Sequence, residues 1–218
     1  MSNIARNRRS DEDANFYITL ETALVENGML DDYMYLRELK QRRLFLDEEV
    51  DNSTVRPIVK AILRYNREDK DIPIEERQPI LLYLNTVGGE VDSGCELIDI
   101  IVESKTPIYI INTGYCYSMG FLIYIAGDKR FATRNAKFLL HDGTTIVGDS
   151  SSKARDRMNF NDRIETRLRD AVLTWTKIGK DEYDEHSRTE WYMFSDEAKS
   201  LGIVDAIVGV DCDIDSII

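Results

Sequence analysis

Pro107-Ile-Tyr-Ile-Ile-Asn-Thr-Gly-Tyr-Cys-Tyr-Ser-Met-Gly-Phe-Leu-Ile-Tyr-Ile-Ala126 reads as an apolar strand that runs through a small-residue turn into an apolar helix. The strand is Pro107 to Thr113 and the helix Phe121 to Ala126, so Ser118 falls at the junction, near a helix N-terminus. Backbone N–H groups there lack intrahelical acceptors and favour an anion. The same grammar appears just upstream. Pro79-Ile-Leu-Leu-Tyr-Leu84 is an uninterrupted apolar strand of the kind buried on both faces, Gly88-Gly89 ends it, and a helix follows with Cys95, Leu97, Ile98, Ile101 and Val102 on its inner side. Two successive strand–glycine turn–helix units predict an α/β fold.

Working outward, Arg43-Leu-Phe-Leu46 predicts a short strand. Asn52-Ser-Thr54 then offers capping oxygens to a helix with apolar residues at Val55, Ile58, Val59, Ile62 and Leu63, and Pro57 is tolerable in its first turn. Arg67 to Gln78 is charged and predicts a surface loop. Downstream, Arg130-Phe-Ala and Lys137-Phe-Leu-Leu flank Thr133-Arg-Asn135 and predict a hairpin. A polar stretch, Asp142 to Ser152, leads to a long charged helix from about Lys153 to Lys177, with Met158, Ile164, Leu168, Val172 and Trp175 along one side. So narrow a stripe fits a helix that projects and packs on a neighbour, and equally an ordinary surface helix. Ser195 to Val204 predicts a capped short helix ending at Gly202 and feeding a last strand.

Residues 16–40 carry scattered apolar positions compatible with helix, whereas residues 1–15 are polar and charged without period, which predicts disorder or ordering on a partner. The expected organisation is a divergent N-terminal segment over 1–33, a single domain over 34–210 and a tail over 211–218. At 218 residues and 43% hydrophobic content the chain can bury one substantial core. Lys and Arg total 28 against 40 Asp and Glu, a formal charge of −12, which disfavours nucleic acid and anionic membrane as partners. The odd set Cys95, Cys116 and Cys212 lacks paired or zinc-type spacing, and the first two lie in tracts read as buried. With no apolar leader after Met1 and no run of membrane-span length, a reducing, cytoplasmic setting is expected.

Acyl transfer from a serine needs a base for the hydroxyl proton and donors for the oxyanion. Ser118, His141 at the end of Lys137-Phe-Leu-Leu-His, and the Gly88-Gly89 turn are the candidates. Taken singly, Ser118 reads more simply as a helix cap, His141 as a satisfied strand-end histidine and Gly88-Gly89 as a tight turn. Their joint placement at the ends of successive units, where open α/β sheets put ligands, favours a site.

Five segments resemble the proteolytic subunit of the Clp protease, ClpP, in the family's order: Leu84-Asn-Thr-Val-Gly-Gly89, Gly114-Tyr-Cys-Tyr-Ser-Met-Gly120, Ala126-Gly-Asp-Lys-Arg-Phe131, Phe138-Leu-Leu-His141 and Glu197-Ala-Lys-Ser-Leu-Gly-Ile-Val-Asp205. The similarity covers about Tyr35 to Gly209. It implies a ClpP/crotonase-type fold of repeated ββα units with a projecting handle helix, and serine endopeptidase activity without cofactor or metal. Ser118 matches the nucleophile, His141 the general base, and Gly89 and Met119 the residues whose N–H groups form the oxyanion hole. It further implies two stacked heptameric rings of identical subunits, joined through the long helix, acting on unfolded polypeptides. An AAA+ unfoldase partner would supply ATP dependence, because no Gly-x-x-x-x-Gly-Lys-Ser/Thr loop occurs in this chain.

One position departs from the pattern. Read without gaps, the family's catalytic aspartate falls on His186. A neutral histidine can accept the Nδ1 proton of His141 and hold its tautomer, but stabilises imidazolium less than a carboxylate does. Asp184, Glu185 or Glu190 supplies the acid instead if the local alignment slips. Asp142-Gly143 also replaces the family's usual Gln-Pro, and Met1 to Asp32 shows no motif that aligns. The departures keep three further readings open: a catalytically weak ring subunit, a phage-type processing protease, and a crotonase-type acyl-CoA enzyme. The Ser118–His141 pair disfavours the last, since such enzymes usually rely on carboxylates.

Overall fold

The computed structural model describes residues 22, 25, 27–143 and 150–217, so the disorder expected for residues 1–15 lies outside the described residues. The chain divides between Arg42 and Arg43 into two units. In the first, helix α1 (Leu30–Lys40) carries Asp31 and Asp32 in its first turn and Arg37 and Lys40 in its last, the charge order that complements the helix dipole.

The second unit is built on seven strands: β1 (Arg43–Leu46), β2 (Ile80–Thr86), β3 (Ile108–Tyr117), β4 (Lys129–Thr133), β5 (Lys137–Leu140), β6 (Trp191–Phe194) and β7 (Ala206–Val208). The order is β1-β2-β3-β4-β7, with β5 pairing β3 and β6; only β5–β6 is antiparallel. Helices α2 (Asn52–Glu68), α3 (Val91–Glu103), α4 (Met119–Ile125), α5 (Ser151–Trp175), α6 (Lys180–His186) and α7 (Ser195–Ser200) fill the connections. Leu82, Leu84, Ile108 and Ile110 are fully buried, as a sheet covered on both faces requires. No described helix is long and apolar enough to cross a membrane.

The predicted hairpin does not form. β4 lies parallel to residues Tyr109 to Asn112 of β3, and β5 lies parallel to Tyr115 to Tyr117 of the same strand. Ten residues long, β3 changes partner at Thr113-Gly114, so the chain leaving β4 turns a corner without reversing. At that corner a Cβ on Gly114 would overlap Asn85 Oδ1, which accepts a hydrogen bond from the Tyr115 N–H at 3.3 Å.

Helix faces and caps depart from the predicted ones in detail. Leu63 and Val102 are 46% and 49% exposed, while Ala61 and Tyr65 on α2 and Ser93 and Gly94 on α3 are buried in addition to the predicted positions. Cys116 is buried as expected, but Cys95 is only half-buried. The cap of α2 is Asp51: its Oδ1 accepts from the N–H groups of Ser53 and Thr54 at 2.7 and 2.9 Å, and the Asp51 N–H donates to Thr54 Oγ1 at 3.0 Å. Ser195 does not cap α7. Its hydroxyl turns inward to the carbonyls of Thr133 and Ala136, and Glu197 accepts from the Phe194 N–H at 2.8 Å instead.

Hydrogen bonding from Ser53 and Thr54 holds the Asp51 carboxyl below its ordinary pKa of 3.8. A depressed pKa in the folded state contributes stability that is complete above the unfolded value and lost as pH falls through the folded one. Asp51→Ala is therefore expected to lower Tm by about 2–4 °C at neutral pH, a gap that narrows below about pH 4. Thermal scans of both proteins at several pH values check this.

Three contacts prepare the site. On α4, Phe121 and Tyr124 close over Phe138 of β5, with ring centroids 6.5 and 4.9 Å away, and the Tyr124 hydroxyl donates to the Phe131 carbonyl at 2.9 Å. The end of α3 is fixed by Asn66 of α2, which donates to Ser104 Oγ at 2.8 Å and accepts from the N–H groups of Lys105 and Thr106. Of the 25 residues of α5 only Val172 is buried, and Met158 and Phe160 are each 56% exposed. The base of α5 is held by Arg130, which donates to the Trp175 carbonyl at 2.8 Å and grips both oxygens of Asp205.

Candidate active site

Ser118 follows the last residue of β3 and precedes α4, with φ 53° and ψ −119°. For a residue with a Cβ this left-handed turn costs about 1–3 kcal/mol, a strain that persists only where the surroundings impose it. They do so from three directions. The Ser118 N–H donates to the Leu139 carbonyl at 2.9 Å, and the Ser118 carbonyl accepts from the Phe121 N–H at 3.0 Å. On the third side, a Cβ added to Gly88 would lie 2.6 Å from Tyr117 O, 2.9 Å from Met119 N and 2.9 Å from Ser118 Cβ. The simple-cap reading of Ser118 fails, because its side chain makes no cap hydrogen bond.

Gly88 and Gly89 have φ of 93° and 151°, both in the region that favours glycine. Val50 fixes them as a parallel bridge: its N–H donates to the Gly88 carbonyl at 2.8 Å and its carbonyl accepts from the Glu90 N–H at 2.7 Å. That pattern turns the Gly89 N–H away from Val50. Neither it nor the Met119 N–H donates a hydrogen bond among the described residues. Val50, and Thr86 whose hydroxyl accepts from the Gly88 N–H at 3.1 Å, carry no sequence signal as supports, since each works through a long-range backbone contact. Gly88→Ala is expected to break this approach and slow fluorophosphonate labelling of Ser118 at least about 100-fold, the loss that a misplaced reacting group brings. Labelling rates on protein with unchanged circular dichroism measure it.

His141 follows β5 directly, two residues beyond the Leu139 carbonyl that holds Ser118. On its other side the Asp142 N–H donates to the Ser187 carbonyl at 2.8 Å, joining the strand end to the end of α6. The Ser118 hydroxyl and the half-buried His141 ring make no hydrogen bond, to each other or to any group among the described residues. Catalytic hydrogen bonds are often long in unliganded sites and tighten only around substrate. Cys116, two residues before Ser118, is not available as a nucleophile: burial pushes its thiol well above the ordinary value and keeps it protonated.

His186 ends α6, and its ring stacks on Trp191 with centroids 4.4 Å apart and planes at 29°. Trp191 is paired with Leu140, the residue before His141. Of the alternative acids, Asp184 is engaged by Arg169 at 2.8 Å, Glu190 accepts from the Tyr192 hydroxyl at 3.1 Å, and Glu185 is exposed. Burial raises the Tyr183 pKa; Arg169 opposes this, and Asp142, Glu165 and Asp184 add to the rise.

The Clp protease family model matches residues 26–211, well over half of the chain. This chain belongs to the Clp protease family. The mixed α/β architecture, with seven described helices and a mostly parallel sheet, is that of a ClpP-like fold. Membership in the Clp protease family places the chain among peptidases in general class.

Proposed function

We propose that this chain is a serine endopeptidase, the proteolytic subunit of a Clp-type assembly that cuts unfolded polypeptides through an acyl-enzyme. Ser118 Oγ attacks the scissile carbonyl while His141 takes its proton, and the resulting oxyanion is met by the N–H groups of Gly89 and Met119. As the tetrahedral species collapses, the C–N bond breaks and His141 returns the proton to the leaving amine. Water then repeats the sequence on the ester and frees Ser118. The observation that carries this reading is Ser118 itself: it occupies a costly turn at a strand end, and among the described residues neither its hydroxyl nor the N–H groups of Gly89 and Met119 beside it have a hydrogen-bond partner.

This reading puts His186 at the third triad position, where it would orient His141 once substrate draws the two rings together. The long and largely unburied α5 supports ring-on-ring assembly, taken here as two heptameric rings of identical subunits, with ATP entering only through a partner AAA+ unfoldase. A second reading, a ring subunit of low intrinsic activity, is favoured by one observation: no carboxylate hydrogen-bonds His141 among the described residues. A fluorophosphonate probe followed by peptide mapping tests the first reading and should label Ser118. Unlabelled Ser118 in assembled protein overturns it, and labelling without peptide turnover supports the second.

A further inference from the structure

Gly94 is the fourth residue of α3, buried, with no turn to make and no left-handed φ. A glycine inside a helix costs about 1 kcal/mol relative to alanine, so its presence there asks for a packing reason. Met119 supplies it. A Cβ built on Gly94 would overlap Met119 Cγ and would lie 2.5 Å from its Cε and 2.8 Å from its Sδ. The methionine lies across the bare backbone of α3 and is only 2% exposed.

Near the main chain, the Met119 side chain has little freedom to yield. Cγ is two bonds from the backbone, so relieving an overlap there takes a change of χ1 or a shift of the Met119 main chain, and in close-packed surroundings few rotamers exist. The neighbouring contacts close off other movements. Gly88 abuts Met119 N, and a Cβ on Gly120 would fall 2.6 Å from Thr86 Cγ2. Because α3 starts immediately after Gly89-Glu90, the Gly89 peptide leads directly into the helix whose notch receives Met119.

We propose that Gly94 is a positioning residue for the oxyanion hole: by receiving the Met119 side chain in a notch of α3, it fixes the Met119 N–H relative to the Gly89 N–H. This rests on the reading of those two groups as oxyanion donors. Gly94 touches no reacting atom. It acts through Met119, whose side chain serves as a key and whose peptide does the chemistry.

The test compares the full-length assembled wild type with Gly94→Ala, Met119→Ala and the double variant, using a fluorogenic peptide and a peptide boronate that forms a tetrahedral adduct. Gly94→Ala is expected to lower kcat about 10- to 100-fold with KM within about twofold, as displacement of one donor predicts. Boronate affinity should fall in parallel with kcat, which a general loosening of substrate binding would not produce. Met119→Ala keeps the N–H but loses the key, and is expected to lower kcat about three- to tenfold. The double variant should regain most of the kcat lost in Gly94→Ala, because the clash is gone. Wild-type kcat in Gly94→Ala, or no recovery in the double variant, overturns the proposal. If Gly94→Ala fails to fold, wild-type kcat in Met119→Ala overturns it instead. Failure of the underlying reading registers separately, as Ser118 left unlabelled by fluorophosphonate in the wild type.

Discussion

Ser118→Ala is expected to reduce peptide hydrolysis by about 10⁴-fold or more, the loss that follows removal of an activated serine nucleophile. Folding should be untouched, because the hydroxyl supports nothing: it neither caps α4 nor bonds any described residue. A helix-capping serine would instead lose about 1 kcal/mol of stability on the same change. The strained turn stays, since alanine also carries a Cβ and meets the same φ of 53°. Steady-state peptidase assays and thermal scans on the same preparations give the two measurements. A variant that keeps its activity removes Ser118 from the chemistry, and a variant that keeps its activity and loses stability returns it to the role of a cap.

His186→Asp is expected to raise kcat by about 10- to 100-fold. In the reading that puts His186 at the third triad position, what a carboxylate adds there is charge against the imidazolium formed during attack. The same substitution carries a cost elsewhere. It removes the stack on Trp191, worth about 0.5–1.5 kcal/mol, and sets a negative charge at the C-terminus of α6, where the helix dipole disfavours it. Faster turnover with a lower Tm is therefore the expected pair of results, with KM little changed. His186→Ala supplies the contrast, since it should lose the stack and gain no rate. A His186→Asp protein that folds, assembles and turns over no faster than wild type places the third group elsewhere, and Asp184→Asn, Glu185→Gln and Glu190→Gln then discriminate the remaining acids.

The strand-to-helix junction at Ser118 was legible because its two apolar runs are local signals, but the strand continues through Gly114 to Tyr117, where the sequence reading expects the turn, because it gains a second partner in β5 there. The hairpin misreading has a physical cause of a different kind. Thr133-Arg-Asn135 marks a change of direction correctly, but whether the chain reverses or turns a corner depends on β3, which offers separate parallel edges before and after Thr113-Gly114. Partner choice at that range leaves no trace in the turn residues. The helix expected from Ser195 is capped, but not by Ser195 itself. Ser-Asp-Glu-Ala has the look of a capped start, yet the antiparallel pairing of β6 with β5 points the hydroxyl at Thr133 and Ala136, and Glu197 takes over at Phe194.

Periodicity found the inner faces of α2 and α3 but drew them too wide at Leu63 and Val102, because a helix at the sheet surface buries a stripe whose edges depend on what lies beside it. Gly94 went unnoticed in the sequence. The available signal was a glycine three residues inside a helical pattern, which points to a close approach without naming the partner. The third triad group was not legible either: spacing selects the position of His186, whereas the chemistry there depends on where its ring and three nearby carboxylates point.

Main-chain tethers bracket His141, to Ser118 through Leu139 on one side and to Ser187 through Asp142 on the other. With both flanks anchored, the freedom left to the imidazole and the hydroxyl, which have no partner among the described residues, is torsion about their own side-chain bonds. Such rotations take picoseconds to nanoseconds, far faster than refolding of a loop. If the proposed serine chemistry operates here, an arriving peptide has only to choose among rotamers, and the interval between docking and bond cleavage would carry no delay for rebuilding the frame.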